Sequence, residues 1–200
     1  MTVYVESNFV LELALQQEQA ADAREILDHA ARGEISLAIP SVSITEPFST
    51  ITQRLRSMDR LEKLIGTQAR DFARSSLYVA EAQDLTVAQS HLKRLVQQKH
   101  KILEPVIAGI LAVARVIPVD PASYDLALQL QESLRLDLED ALVLAAVVSD
   151  LRRNPSIRTG LFVNKNTRDF FRHDVVEILR RNNCEFSGDF QDGARRLSFR

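Results

Sequence analysis

The chain has 200 residues, 46% hydrophobic and 26% charged, with a formal net charge of −2. That length suits one domain, with or without a sizeable insertion, and the charge excludes a general polyanion binder. No window approaches the roughly 18 consecutive apolar residues of a membrane span, and the start lacks the basic-then-apolar pattern of a secretory leader. A single cysteine, Cys184, excludes an internal disulfide and a cysteine-built zinc site, so a reducing cytoplasmic compartment is expected.

The chain opens on Met1-Thr2-Val3-Tyr4-Val5, an apolar run that breaks into Glu6-Ser7-Asn8 before hydrophobic residues resume. This reads as a short buried strand delivering Glu6 to the carboxyl edge of a sheet, where open α/β sheets place their ligands. Residues 17–32 follow with Ala20, Ala23, Ile26, Leu27 and Ala30 at helical spacing, and Gly33 as the stop. Ser36 to Pro40 is a second, fully apolar strand. The next segment starts a helix, with Ser41 or Ser43 as cap and Pro47 in its first turns.

From there to Ala114 the pattern is wholly helical, in two to four pieces broken near Ser75-Ser76 and near Lys99 to Lys101. Between Arg54 and Lys101, ten Lys/Arg face five Asp/Glu, the one place where charge polarises. Val116 to Asp120 is the third strand and Ala122 to Leu134 a helix. Asp137, Glu139 and Asp140 then crowd the start of a very apolar helix that must be buried on nearly all sides. Thr159 to Val163 is the fourth strand, followed by the polar loop Asn164 to Phe170. A helix from Asp174 to Arg181 and a short strand near Cys184 to Phe186 complete the domain, and a polar tail occupies residues 189–200.

Strands alternating with helices predict a three-layer α/β/α domain over residues 1–188. Its mostly parallel sheet has four to five short strands, with a helical insertion over residues 54–114. Right-handed crossovers bring the ends of the first and fourth strands to one edge. Four acids then share a setting, each where a strand ends or a helix begins: Glu6, Glu46, Asp140 and Asp169. Helix-start acids also serve as dipole caps, which suffices for Asp137 and Glu139. Carboxylates gathered at one point repel each other, and a hard divalent cation, Mg²⁺ or Mn²⁺, relieves that conflict. No HExxH, Walker, GxGxxG or GxSxG motif is present, which leaves zinc-peptidase, P-loop, dinucleotide and serine-hydrolase readings without support.

Four stretches together resemble the PIN domain, a fold of metal-dependent nucleases that includes bacterial toxin ribonucleases. They are Val3 to Phe9, Ile44 to Phe48, Leu136 to Leu144 and Phe162 to Phe170, in that family's order. Here Glu6 stands where the family usually has Asp, and Asn164 and Asn166 replace a hydroxyl and an acid. The resemblance implies an endoribonuclease holding Mg²⁺ or Mn²⁺ on Glu6, Asp140 and Asp169, with Glu46 as a further ligand or water-orienting base. Ser7, Asn8, Asn164 and Asn166 would support those ligands, and Lys165 and Arg168 would contact phosphate. The basic block (Arg54, Arg56, Arg60, Lys93, Arg94, Lys99, Lys101) reads either as an RNA-tracking surface or as a solvated face or dimer surface. The implied partners are RNA, an antitoxin-like protein and a second copy of the chain; no membrane is expected. Two alternatives stay open: a degenerate PIN-like module that binds RNA or protein without cutting, and, more distantly, a phosphatase-like hydrolase.

Overall fold

Residues 1–98 and 102–198 are described by a computed structural model. They divide into two compact units, Met1–Pro47 with Leu103–Arg200, and Phe48–Ile102.

The first unit is built on five parallel strands: β1 (Thr2–Tyr4), β2 (Ser36–Pro40), β3 (Ala114–Ile117), β4 (Gly160–Val163) and β5 (Cys184–Ser187), ordered β3-β2-β1-β4-β5. Strands covered on both faces read as continuous apolar runs, as Val3-Tyr4, Leu37-Ala38-Ile39 and Leu161-Phe162-Val163 do. The chain adds β2 and β3 on one side of β1 and then returns to place β4 on the other. The strand order therefore reverses between β1 and β4, the position where such sheets hold ligands. Register sets Tyr4 beside Phe162, so Glu6 and Asn164, each two residues on, leave adjacent strands at the same level. The third strand starts two residues earlier than its sequence pattern predicts and stops at Ile117, because Pro118 has no N–H to donate.

Alternation along the strands sends Tyr4, Ala38, Ile117, Phe162, Cys184 and Phe186 to one face. There they meet α6 (Pro121–Leu134), α7 (Leu138–Arg153), α8 (Thr167–Phe170) and α9 (His173–Arg181). Helix α7 is buried continuously from Ala141 to Leu151, which accounts for its lack of a polar face. Asp120 starts α6 by accepting from the Ser123 backbone N–H at 2.9 Å, with Pro121 in the first turn.

The opposite layer holds α1 (Ser7–Leu15), α2 (Ala20–Ala31) and α10 (Phe190–Ser198), with α5 (Leu103–Leu111) against α1 and β3. Helix α2 ends in a Schellman arrangement: Gly33, at φ +73°, donates to Ala30 and Glu34 donates to His29, both at 3.0 Å. Helix α10 corrects the expected polar tail. Phe190, Gly193, Ala194 and Leu197 recur at helical spacing and are buried, while Arg195 and Arg196 lie on the outer side. A Cβ at Gly193 would stand 3.0 Å from a Val163 methyl, so the small residue lets α10 lie on β4. Phe190 meets Phe9 edge-to-face, with ring centroids 5.5 Å apart. Helix α5 likewise belongs to this unit, its Leu103, Ile107 and Ile110 buried, although the helical insertion was expected to run on to residue 114.

Helix α3 (Val42–Phe72) starts in the first unit and runs on into the second, where a turn at Ala73–Tyr78 leads into α4 (Val79–Gln98). Gln89 donates to Glu62 at 2.8 Å, and these residues stand equally far from the turn, so the two helices run antiparallel. Of the large exposed hydrophobic residues described, Leu61, Leu64, Phe72, Leu77, Tyr78, Val79, Val87 and Leu95 all fall in this unit. The expected break at residues 99–101 lies outside the described residues. Among the described residues no helix is long and apolar enough to cross a membrane.

Candidate functional site

Glu6 follows β1 and caps α1. Its Oε1 accepts from the Asn8 backbone N–H at 3.0 Å and its Oε2 from the Ser7 hydroxyl at 2.6 Å. The side chain is 4% exposed. Burial raises its carboxyl from 4.5 to about 7; Glu46 pushes the same way, and the bonds from Ser7 and Asn8 oppose it. Ser7 and Asn8 thus hold both oxygens of this carboxylate.

Glu46 lies half-buried in the second turn of α3, just before Pro47. Because the helix already begins at Val42, Pro47 sits further in than the sequence suggests, and the Ser43 carbonyl has no N–H four residues on.

Asp140 occupies the first turn of α7, where the helix dipole favours an acid. Its carboxyl is nonetheless raised from 3.8 to about 6, first by burial and then by repulsion from Asp169 and Glu46. The Asn166 amide opposes the rise, donating to both carboxylate oxygens at 3.4 and 3.3 Å. Asp169 stands half-buried in α8. Glu6, Glu46, Asp140 and Asp169 thus come from four separate segments and are linked by mutual repulsion: Glu6 with Glu46, and Asp140 with both Glu46 and Asp169.

Asn164 is fully buried, its Oδ1 accepting from the Asn166 backbone N–H at 2.7 Å. Its Nδ2 is left without a partner among the described residues, a donor suited to a carboxylate, water or phosphate oxygen. The donor set is all oxygen with an excess of negative charge, the chemistry that hard divalent cations select. Among the described residues, however, no three His, Cys, Asp or Glu side chains are gathered tightly enough to hold a metal ion. Each of Glu6 and Asp140 is instead engaged by hydrogen-bond donors of this chain.

The expected phosphate contacts have different placements. Arg168 is exposed on α8, whereas Lys165 donates to Glu12 at 2.9 Å. Arg54, Arg56, Arg60, Lys93 and Arg94 are exposed in the second unit, and Lys99 and Lys101 lie outside the described residues. A cavity of about 480 Å³ lined by Met1, Gly33, Ser36, Arg158 and Thr159 is at the amino edge of the sheet, away from the acids.

Two polar clusters escaped sequence reasoning. Glu12, in a run of apolar residues, is a buried carboxylate with two partners. Asp150, near the end of α7, accepts from Tyr4 Oη at 2.8 Å and from both Arg115 terminal nitrogens at 2.5 and 2.7 Å. Burial would raise Asp150, but Arg115 and Tyr4 outweigh it and hold the carboxyl below its usual range, while burial and Asp150 push the Tyr4 phenol far up. The available signal was Tyr4 itself, since a tyrosine inside a buried strand requires a hydrogen-bond partner. Cys184 is buried and its thiol is pushed up to about 12, so it acts as a small hydrophobe.

No family model matches the sequence, and no curated protein matches it. Among solved structures the chain is similar to the crystal structure of VapBC2 from Rickettsia felis bound to a DNA fragment from their promoter. Sequence identity is 11%, over 94% of this chain and 98% of that one, with a TM-score of 0.42.

Proposed function

We propose that this chain is a PIN-type, Mg²⁺- or Mn²⁺-dependent endoribonuclease. The observation that supports the reading is a chain of neighbouring acids from four segments: Glu6 at the end of β1, beside β4 where the strand order reverses, is repelled by Glu46, and Asp140 by Asp169 and Glu46. Glu6, Asp140 and Asp169 would hold the cation, with Glu46 as a further ligand or as the group that orients water. Glu6 and Asp140 each accept one hydrogen bond per oxygen, which leaves lone pairs for a cation while Ser7, Asn8 and Asn166 orient the carboxylates. A cation held there polarises the scissile phosphate and acidifies a bound water. The spare Asn164 N–H would then donate to an oxygen of the substrate or water, and the buried floor of β1 and β4 excludes bulk solvent. Exposed Arg168 and the basic residues Arg54, Arg56, Lys93 and Arg94 are the candidate phosphate contacts. The PIN resemblance extends the proposal to a toxin-like role, with an antitoxin-like partner and a homodimer.

The test is cleavage of a mixed RNA pool with Mn²⁺ by the purified protein beside Asp140→Asn. Loss of cleavage in the variant is expected; equal cleavage by both would indicate contamination and overturn the enzyme reading. One observation favours a second reading, a non-cutting PIN-like module: Asp140 is engaged by the Asn166 amide, and among the described residues no three acids close around a point. Calorimetry separates the two, because the module binds RNA or protein without binding Mn²⁺.

A further inference from the structure

We infer that Lys165 is a positioning residue of the proposed site: paired with buried Glu12, its ammonium holds the loop after β4 against α1. The inference rests on the nuclease reading only for its consequence in catalysis; the anchoring itself does not depend on it.

Glu12 is 1% exposed, on the last turn of α1, where an unpaired carboxylate would be strongly disfavoured. One oxygen accepts from Lys165 Nζ at 2.9 Å and the other from the Gln19 backbone N–H at 2.6 Å. Gln19 in turn accepts from the Phe190 backbone N–H at 2.7 Å, which ties the same point to the start of α10. Glu18, 3.5 Å from the ammonium, is exposed and adds little. Glu12 is therefore held from two sides, and Lys165 is the only charged group among the described residues that balances it.

Lys165 also sits at the centre of the site loop. Asn164 on one side and Asn166 on the other are joined by a 2.7 Å hydrogen bond, and Asn166 reaches Asp140. The Lys165 carbonyl accepts from Thr167 N at 2.8 Å, at the start of the short helix that carries Asp169. Moving this one backbone segment displaces the Asn166 contact to Asp140 and the base of Asp169 together. A lysine devoted to phosphate would have to leave a buried carboxylate unpaired, which is unfavourable, so any phosphate contact by Lys165 is made while it stays on Glu12. The charge of Lys165 is already used within the chain.

The experiment compares Lys165→Met, Lys165→Arg, Glu12→Gln and the double variant Glu12→Gln/Lys165→Met with the wild-type chain. Mn²⁺-dependent RNA cleavage is measured across a salt series, alongside hydrogen exchange of backbone amides 165–171. Lys165→Met and Glu12→Gln should each lower kcat by about 10- to 100-fold, the cost of a small misplacement of reacting groups, with KM and its salt dependence unchanged. Lys165→Arg should keep most of the rate. The double variant should lose no more than the worse single one, because it leaves no unpaired buried charge. If Lys165→Met does not fold, the double variant supplies the comparison. A rise in KM and a flatter salt dependence confined to the Lys165 variants would overturn the inference in favour of phosphate contact. Exchange decides independently of activity: amides 165–171 should exchange faster in both single variants, and unchanged exchange also overturns it. Absence of wild-type cleavage would sink the nuclease reading alone.

Discussion

The buried carboxyl of Glu6 sets a pH dependence of stability that can be worked from its environment. Its pKa in the folded chain is about 7 against 4.5 in the unfolded one, with burial as the first cause. The folded state therefore holds this proton more tightly. The stabilisation is fully present below pH 4.5 and is lost as the pH rises through 7. At about 1.36 kcal/mol per pKa unit, the loss amounts to about 3 kcal/mol by pH 8. Glu6→Gln removes the titration while retaining an amide oxygen for the Asn8 N–H and nearly the same volume. Urea unfolding at pH 5, 6, 7 and 8, with chelator present, should show wild-type stability falling across this range and Glu6→Gln falling distinctly less. Asp140, raised to about 6 with burial first among its causes, contributes a residual slope in both proteins. Adding Mn²⁺ at pH 8 should restore stability to the wild type and not to Glu6→Gln. Identical pH slopes in the two proteins would refute the reasoning, because Glu6 would then be solvated or differently placed.

Four further outcomes follow from particular side chains. Glu6→Gln should abolish Mn²⁺-dependent RNA cleavage while Glu6→Asp retains or raises it; cleavage untouched in Glu6→Gln would mean the assembled site is wrong. Tyr4→Phe removes a 2.8 Å bond to buried Asp150 and should cost about 1.5–3 kcal/mol in urea titrations, with cleavage retained. Leu197→Ala, on the buried side of α10, should cost roughly 2–5 kcal/mol, and a cost near zero would mean that the helix does not stay docked. Replacing Arg54, Arg56, Lys93 and Arg94 together by Gln should flatten the logarithmic salt dependence of RNA binding by about 0.7 for each phosphate they had neutralised, and an unchanged slope removes these helices from the RNA path.

Local pattern carried much of the architecture. Apolar runs placed the strands within two residues, except that the third ends three residues early, and Gly33 marked a helix stop, because turn chemistry is decided within a few residues. The four acids were legible for the same reason, since a carboxylate directly after an apolar strand or at the start of a buried helix is visible locally. Helix α10 was not, because its nine residues look polar when counted and only their spacing, four small or apolar side chains on one side, reveals a packed face.

What the amino-acid order by itself determined was thus the alternation of elements and the chemical type of each strand end. Only the tertiary structure decided which ends meet. The order β3-β2-β1-β4-β5 sets Glu6 beside Asn164, although more than 150 residues of chain separate them. It also turned Lys165 from a loop cation into the partner of Glu12, and Tyr4 from a core aromatic into a donor to Asp150. The physical reason is common to all three. A buried charge or hydroxyl must find its partner through space, and packing of the helical layers on the sheet chooses that partner without regard to sequence separation.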